Sequence, residues 1–270
     1  LGRWITSRAN PMTARVVMNR LWLHHFAEGI VSTPENLGRN GAPPSHPQLL
    51  DWLAVEFQDA AWSLKRMHRV VLQSRAYQQT SRRSTETSNA ERHDPDNRLL
   101  WRQNLKRVES EILRDSILAA SGQLNTQSFG PPVPVTKPVS GLSMVDSGGG
   151  THARNRRSVY IFARRVYPLK FMELFDSPIM AINCNRRMNS TTVLQSFAQL
   201  NSDFVIQASH DTAAALRRRV GNAPEELIDA AYRTLLGRQP RKDELVVCLQ
   251  FLNDQTANYT SQDPSQQAAH

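Results

Sequence analysis

Between Asn125 and Arg157 the chain loses all helical spacing. The stretch is built of Gly, Pro, Ser, Thr and Val, with Gly130-Pro131-Pro132 and Gly148-Gly149-Gly150 inside it, and such a run reads as a linker or a long functional loop. On both sides apolar residues recur at intervals of three and four. The pattern restricts the chain to a mainly α, multi-helix fold of about nine helices in two halves. We place the halves at residues 1–124 and 158–256, joined by the 125–157 crossing, with a polar tail at 257–270 expected to be disordered.

In the first half a helix is predicted from about Thr13 to Phe26, with Asn10 as its cap and Pro11 at the first helical position. Its apolar residues surround the axis, so it should be central, and Arg15, Asn19, Arg20 and His24 should form a buried polar network. Ser45 and Gln48 have capping-box spacing ahead of a second helix, and a third begins at Ser63. Residues 80–97 read as an exposed loop. Residues 98–124 read as helix in two pieces. In the second half Ser158 to Phe162 is the one strand signal, free to pair with the preceding loop. Helices are then predicted at Leu169 to Phe175, Val193 to Leu200, Asp203 to about Arg219, Pro224 to Leu236 and Lys242 to about Gln255.

The chain of 270 residues carries 33 Lys plus Arg against 24 Asp plus Glu, and only five of the basic residues are Lys. Arginine's planar fork holds a carboxylate, sulfate or phosphate in two bonds, so this basicity points to acidic partners, internal ion pairs or a solvated surface. No apolar run approaches the ~20 residues of a membrane span. Cys184 and Cys248 have no CxxC or His at ligand spacing, so they are either one disulfide or two free thiols, and no metal site is expected. His24 and His25 point about 100° apart and do not ligate one metal together easily.

Several words in the sequence are long and ordered: Asn10-Pro11-Met12-Thr13-Ala14-Arg15-Val16, Asn19-Arg20-Leu21-Trp22, and Pro43-Pro44-Ser45-His46-Pro47-Gln48-Leu49-Leu50-Asp51-Trp52. Ser74-Arg75-Ala76-Tyr77-Gln78-Gln79, Glu109-Ser110-Glu111-Ile112-Leu113-Arg114-Asp115 and Arg156-Arg157-Ser158-Val159-Tyr160 continue the series. Together they closely resemble the planctomycete C-terminal domain of unknown function 1553, over about residues 3 to 245. The resemblance implies a segment of a large exported protein that also bears a cytochrome c-like domain, hence a periplasmic or cell-surface location. It implies haem c elsewhere in the parent and no cofactor in this segment. Its implied partners are the parent's other domains and a redox partner protein.

The strongest candidate surface is Arg186, Arg187, Asn189, Thr191, Thr192 and Gln195, where two guanidinium forks precede hydroxyls that open a helix. The plainer reading of the same residues is a capped helix whose arginines pair with acids such as Asp176. Glu111 and Asp115, at i and i+4, could supply acid and base with His24, or could pair with Arg107 and Arg114. Arg217-Arg218-Arg219 and the string Arg154, Arg156, Arg157, Arg164, Arg165 form a polyanion footprint without a nucleic-acid motif, so an anionic polysaccharide is the expected anion and nucleic acid is not. The expected function is a non-catalytic interaction domain for an acidic ligand. The alternative is an enzyme acting on sulfated or uronic polysaccharide.

Overall fold

The computed structural model describes residues 1–83, 88–137, 143–146, 148, 150–178, 184, 186–187 and 189–262. Twelve α-helices and one two-stranded sheet are found among them, so the fold is mainly α with a minor β element. The chain divides into two compact units, residues 1–107 with 183–186, and residues 108–182 with 187–270. The division falls near residue 107, and the 125–157 stretch lies inside the second unit.

The first unit holds α1 (Gly2–Ile5), α2 (Pro11–Phe26), α3 (Pro47–Asp59), α4 (Leu64–Leu72) and α5 (Ser88–His93). Asn10 caps α2 by accepting from Met12 N, and Pro11 occupies a position whose donor would have no partner. Leu50, Leu53, Ala54 and Phe57 recur along one face of α3 and are buried together with Met18, Trp22 and Phe26 of α2. Burying each large side chain in that seam stabilises the unit by about 1.5–3 kcal/mol. Met67 and Val71 pin α4 to the same core, and Ser63 caps it.

Of the predicted polar network only Asn19 lies in the core. Arg20 and His24 are exposed, and Arg15 is half-buried against Asp51 at 2.5 Å. The apolar residues of α2 do not close around its whole circumference, so the Arg20 and His24 stripe meets solvent. The capping box at Ser45 and Gln48 is also absent: Pro47 opens α3, His46 stands at the cap, and the Ser45 hydroxyl bonds Ile30 O and His46 Nδ1.

The second unit holds α6 (Ser110–Ala120), β1 (Val135–Thr136), β2 (Met144–Val145), α7 (Gly150–Arg154), a 3-10 turn at Ser158–Tyr160, α8 (Lys170–Leu174), α9 (Val193–Asn201), α10 (Asp203–Val220), α11 (Pro224–Leu236) and α12 (Lys242–Gln262). β1 and β2 are antiparallel, with Val135 opposite Val145, and both valines are buried. The predicted strand at 158–162 is instead the 3-10 turn followed by a single bridge from Ile161 to Val133. The predicted helix over 98–124 reduces to α6, because Asn97 and Leu100 both adopt positive φ and the segment that follows is tied down by side chains. Helix α12 runs to Gln262, into the tail expected to be disordered, and residues 263–270 lie outside the described residues.

Candidate functional site

In the second unit two residues of the predicted ligand loop, Arg187 and Gln195, spend their side chains on internal bonds. Arg187 Nη1 sits 2.5 Å from Glu111 Oε2 and 3.4 Å from Glu109 Oε2. Ser190 donates both its backbone N–H and its hydroxyl to Asp176, whose own φ of 60° bends the chain to meet it. Gln195 is buried: its Nε2 donates to Leu174 O and Ser190 Oγ, and its Oε1 accepts from Thr192 N at the start of α9. Asn189, Thr191 and Thr192 have exposed side chains. Met188 lies outside the described residues.

The proposed acid and base groups have separate fixed partners. Glu111 is held below the usual carboxylate range: burial alone would raise it, but the Arg187 hydrogen bond, its own backbone N–H and the Ser110 hydroxyl outweigh that. Asp115 Oδ1 accepts from Ser158 N at 2.8 Å and Ser158 Oγ at 2.7 Å. Beside it Arg114 is 3% exposed and donates to Arg156 O, Ser158 Oγ and Arg154 O. Burial pushes its guanidinium down to about 10, opposed by Asp115. Arg156, counted as part of a polyanion footprint, is buried, donates to Pro131 O and Phe129 O, and lies 4.1 Å over the Tyr160 ring. His24 belongs to the first unit and is exposed. Cys184 and Cys248 are both free thiols.

The first unit carries a more open arrangement. Asp94 accepts from Arg98 N and Leu99 N and gathers the chain after α5. Asn97, 1% exposed with a φ of 54°, closes the next turn: its amide donates to Arg102 O and Asn104 Oδ1 and accepts from Arg102 N. Asparagine tolerates this left-handed backbone better than most residues. Gln103 N then bonds Thr80 O, which sets the loop at 80–83 beside the loop at 102–105. Asn104 Nδ2 donates to Phe26 O and fastens both to the end of α2.

These bonds frame a basin of about 560 Å³, lined among others by Glu28, Ser81, Arg83, Asp96, Arg102 and Arg186. Arg83 is paired with Glu91 at 2.8 Å. Arg102 lies 5.1 Å over the Trp101 ring, and its Nε is buried without a hydrogen-bond partner among the described residues. Arg186 is exposed. Three guanidinium groups, two carboxylates and a hydroxyl therefore line one concave surface, with Arg83 already paired to Glu91. Among the described residues no group of three or more His, Cys, Asp or Glu could hold a metal ion, and no helix is long and apolar enough to cross a membrane.

A family model described as Protein of unknown function (DUF1553) matches residues 1–252. The chain belongs to this family. No curated protein and no solved structure matches it.

Of the ligand residues anticipated in this DUF1553 chain, the basin contains Arg186 alone. Arg83, Arg102 and Asp96 were missed because they lie in segments read as exposed loop or as helix, and Glu28 because it lies just past the end of α2. The one usable signal was Asn97 beside Asp94 and Asp96, a cluster of turn-forming side chains directly ahead of Trp101-Arg102.

Proposed function

We propose that this chain is a non-catalytic interaction domain that holds an acidic polysaccharide, sulfated or uronic, in the basin around Arg102 and Arg186. What carries the reading is the juxtaposition of those two guanidinium groups with Glu28 and Asp96. A plain anion gains little from a surface that also bears carboxylates. A sulfated or uronic sugar presents anionic groups for the arginine forks and hydroxyls that donate to the carboxylates, so it uses both.

The groups named for the enzymatic alternative are less suited to the acid role. A general acid must hold a proton near working pH, and Glu111 is shifted the other way by Arg187. Asp115 is engaged by both donors of Ser158. The setting that goes with the proposal is the exported, cytochrome-bearing parent implied by the family resemblance, in which this domain attaches the protein to an acidic surface polymer at the periplasm or cell surface.

The test is titration of the purified chain with sulfated, uronic and neutral polysaccharides at low and high salt. Saturable binding confined to the acidic polymers and weakened by salt is expected, since exposed charges are screened over about 8–10 Å at ordinary ionic strength. Equal binding of the neutral polymers, or silence from all three, contradicts it.

A further inference from the structure

We propose that His25 and His68 form a two-imidazole site for a divalent transition-metal ion, independent of the basin. The rings stand on different helices, α2 and α4, and their facing nitrogens, His25 Nε2 and His68 Nδ1, are 2.8 Å apart. Two metal–nitrogen bonds of about 2.0–2.1 Å meeting at 90–109° span about 2.8–3.4 Å between the nitrogens. The pair therefore needs an opening of no more than a few tenths of an ångström and a turn of the rings, and no movement of either helix.

The helices themselves are held. Met67 and Val71 flank His68 on the buried face of α4, and Phe26 beside His25 is in the same core. Tyr77 packs edge-on against the His25 ring at 5.5 Å between centroids, which limits its rotation. The His25 imidazole is thus positioned by packing before any ion arrives, and the His68 ring is held against it, so part of the ordering entropy is already spent. His68 is exposed, which leaves the pair open to solvent.

The charged groups that act on His25 are His68, Lys106 and His24, all cations or neutral imidazoles. A hard cation such as Ca²⁺ or Mg²⁺, which needs oxygen ligands, has nothing to bind here. An ion that bonds strongly to neutral nitrogen does, and the affinity order for imidazole places Cu²⁺ above Ni²⁺ and Zn²⁺. Lys106 is drawn aside, its ammonium donating to His24 O at 2.7 Å. Metal entry is balanced without loss of a proton from the neutral pair: the imidazole that donates the hydrogen bond shifts its proton to its other ring nitrogen, and both facing nitrogens become ligands. No third described His, Cys, Asp or Glu joins them, so water or an external ligand fills the remaining positions.

The experiment titrates the full chain with Cu²⁺, with Zn²⁺ and Mg²⁺ alongside, and reads affinity by calorimetry and nitrogen count by electron paramagnetic resonance. Wild type should take up one Cu²⁺ with two imidazole nitrogens, bind Zn²⁺ more weakly and ignore Mg²⁺. His68→Ala, at an exposed helical position where alanine is well tolerated, should lose one nitrogen and at least about tenfold in affinity, the scale on which even the outer partners of metal ligands act. His25→Ala should do the same, and His93→Ala, on α5, should change nothing. Unchanged copper affinity and nitrogen count in a folded His68→Ala protein, or equal loss in His93→Ala, overturns the proposal.

Discussion

The side-chain amide of Asn19 and the backbone of Val31 form a closed pair of hydrogen bonds: Asn19 Nδ2 donates to Val31 O at 3.0 Å, and Val31 N donates to Asn19 Oδ1 at 2.8 Å. Asn19 is wholly buried, so a side chain of α2 stands in for a strand neighbour and satisfies the loop that follows the helix. Asn19→Leu keeps the volume and strands both backbone groups, which we expect to cost about 2–4 kcal/mol in urea unfolding. Asn19→Asp keeps the acceptor, loses the donor and buries a charge, so it should be at least as damaging.

Gly29 lies under that pair. A Cβ placed there would meet Val31 O at 2.5 Å and the Asn19 amide atoms at 2.9 Å. Gly29→Ala should destabilise by about 1–3 kcal/mol through overpacking. Because both substitutions act on one contact, Gly29→Ala combined with Asn19→Leu should cost less than the sum of the two, measured as a double-mutant cycle.

Arg114 joins α6 to residues 154–158 through three acceptors from one guanidinium. Lysine carries the charge but not the fork, so Arg114→Lys leaves carbonyls of Arg154 and Arg156 without donors. The expected loss is about 2–3 kcal/mol in thermal or urea unfolding. Ser158→Ala should be milder, since it removes one hydroxyl and leaves the Ser158 N–H on Asp115.

Stability should fall on acidification in two steps. His25 is lowered from 6.5, first by burial and then by His68, Lys106 and His24, so below 6.5 the unfolded chain binds more protons there than the folded one. Glu111 is lowered from 4.5 by Arg187, its backbone N–H and Ser110 against the opposing effect of burial, so its contribution is present above 4.5 and lost as pH falls through its folded value. Urea midpoints measured across both values should drop at each. His25→Gln should flatten the upper step, and Arg187→Ala the lower one.

How much of this was legible depended on how local the signal was. Pro11 with Asn10, Ser63, and Pro224 with Gly237 each mark a helix end by chemistry confined to one turn, and the structure places ends there. Gln195 was read as a ligand candidate, yet its amide closes the start of α9, a use the Thr192 to Gln195 spacing also permits. The failures are non-local. Residues 98–108 were read as helix, but Leu99, Leu105 and Val108 are 62%, 81% and 45% exposed, and with no core to cover them the Asn97 and Asp94 turns prevail. Ser158 to Phe162 has strand-forming residues, but Arg114 and Asp115 seize Ser158 from more than forty positions away and tighten it into a turn. Nothing near Arg102 in sequence announces Arg186, just as nothing near His25 announces His68.

The most direct measurement is calorimetric titration of the chain with a sulfated oligosaccharide, comparing wild type with Arg102→Ala/Arg186→Ala and with Arg164→Ala/Arg165→Ala, which removes equal charge from the second unit. Each charged hydrogen bond lost at the basin is worth about 1.5–3 kcal/mol, so the first variant should bind at least about tenfold more weakly and with a shallower salt dependence, while the second stays close to wild type. Equal weakening by both variants would mean that only net charge matters, and would contradict a ligand seated at Arg102 and Arg186.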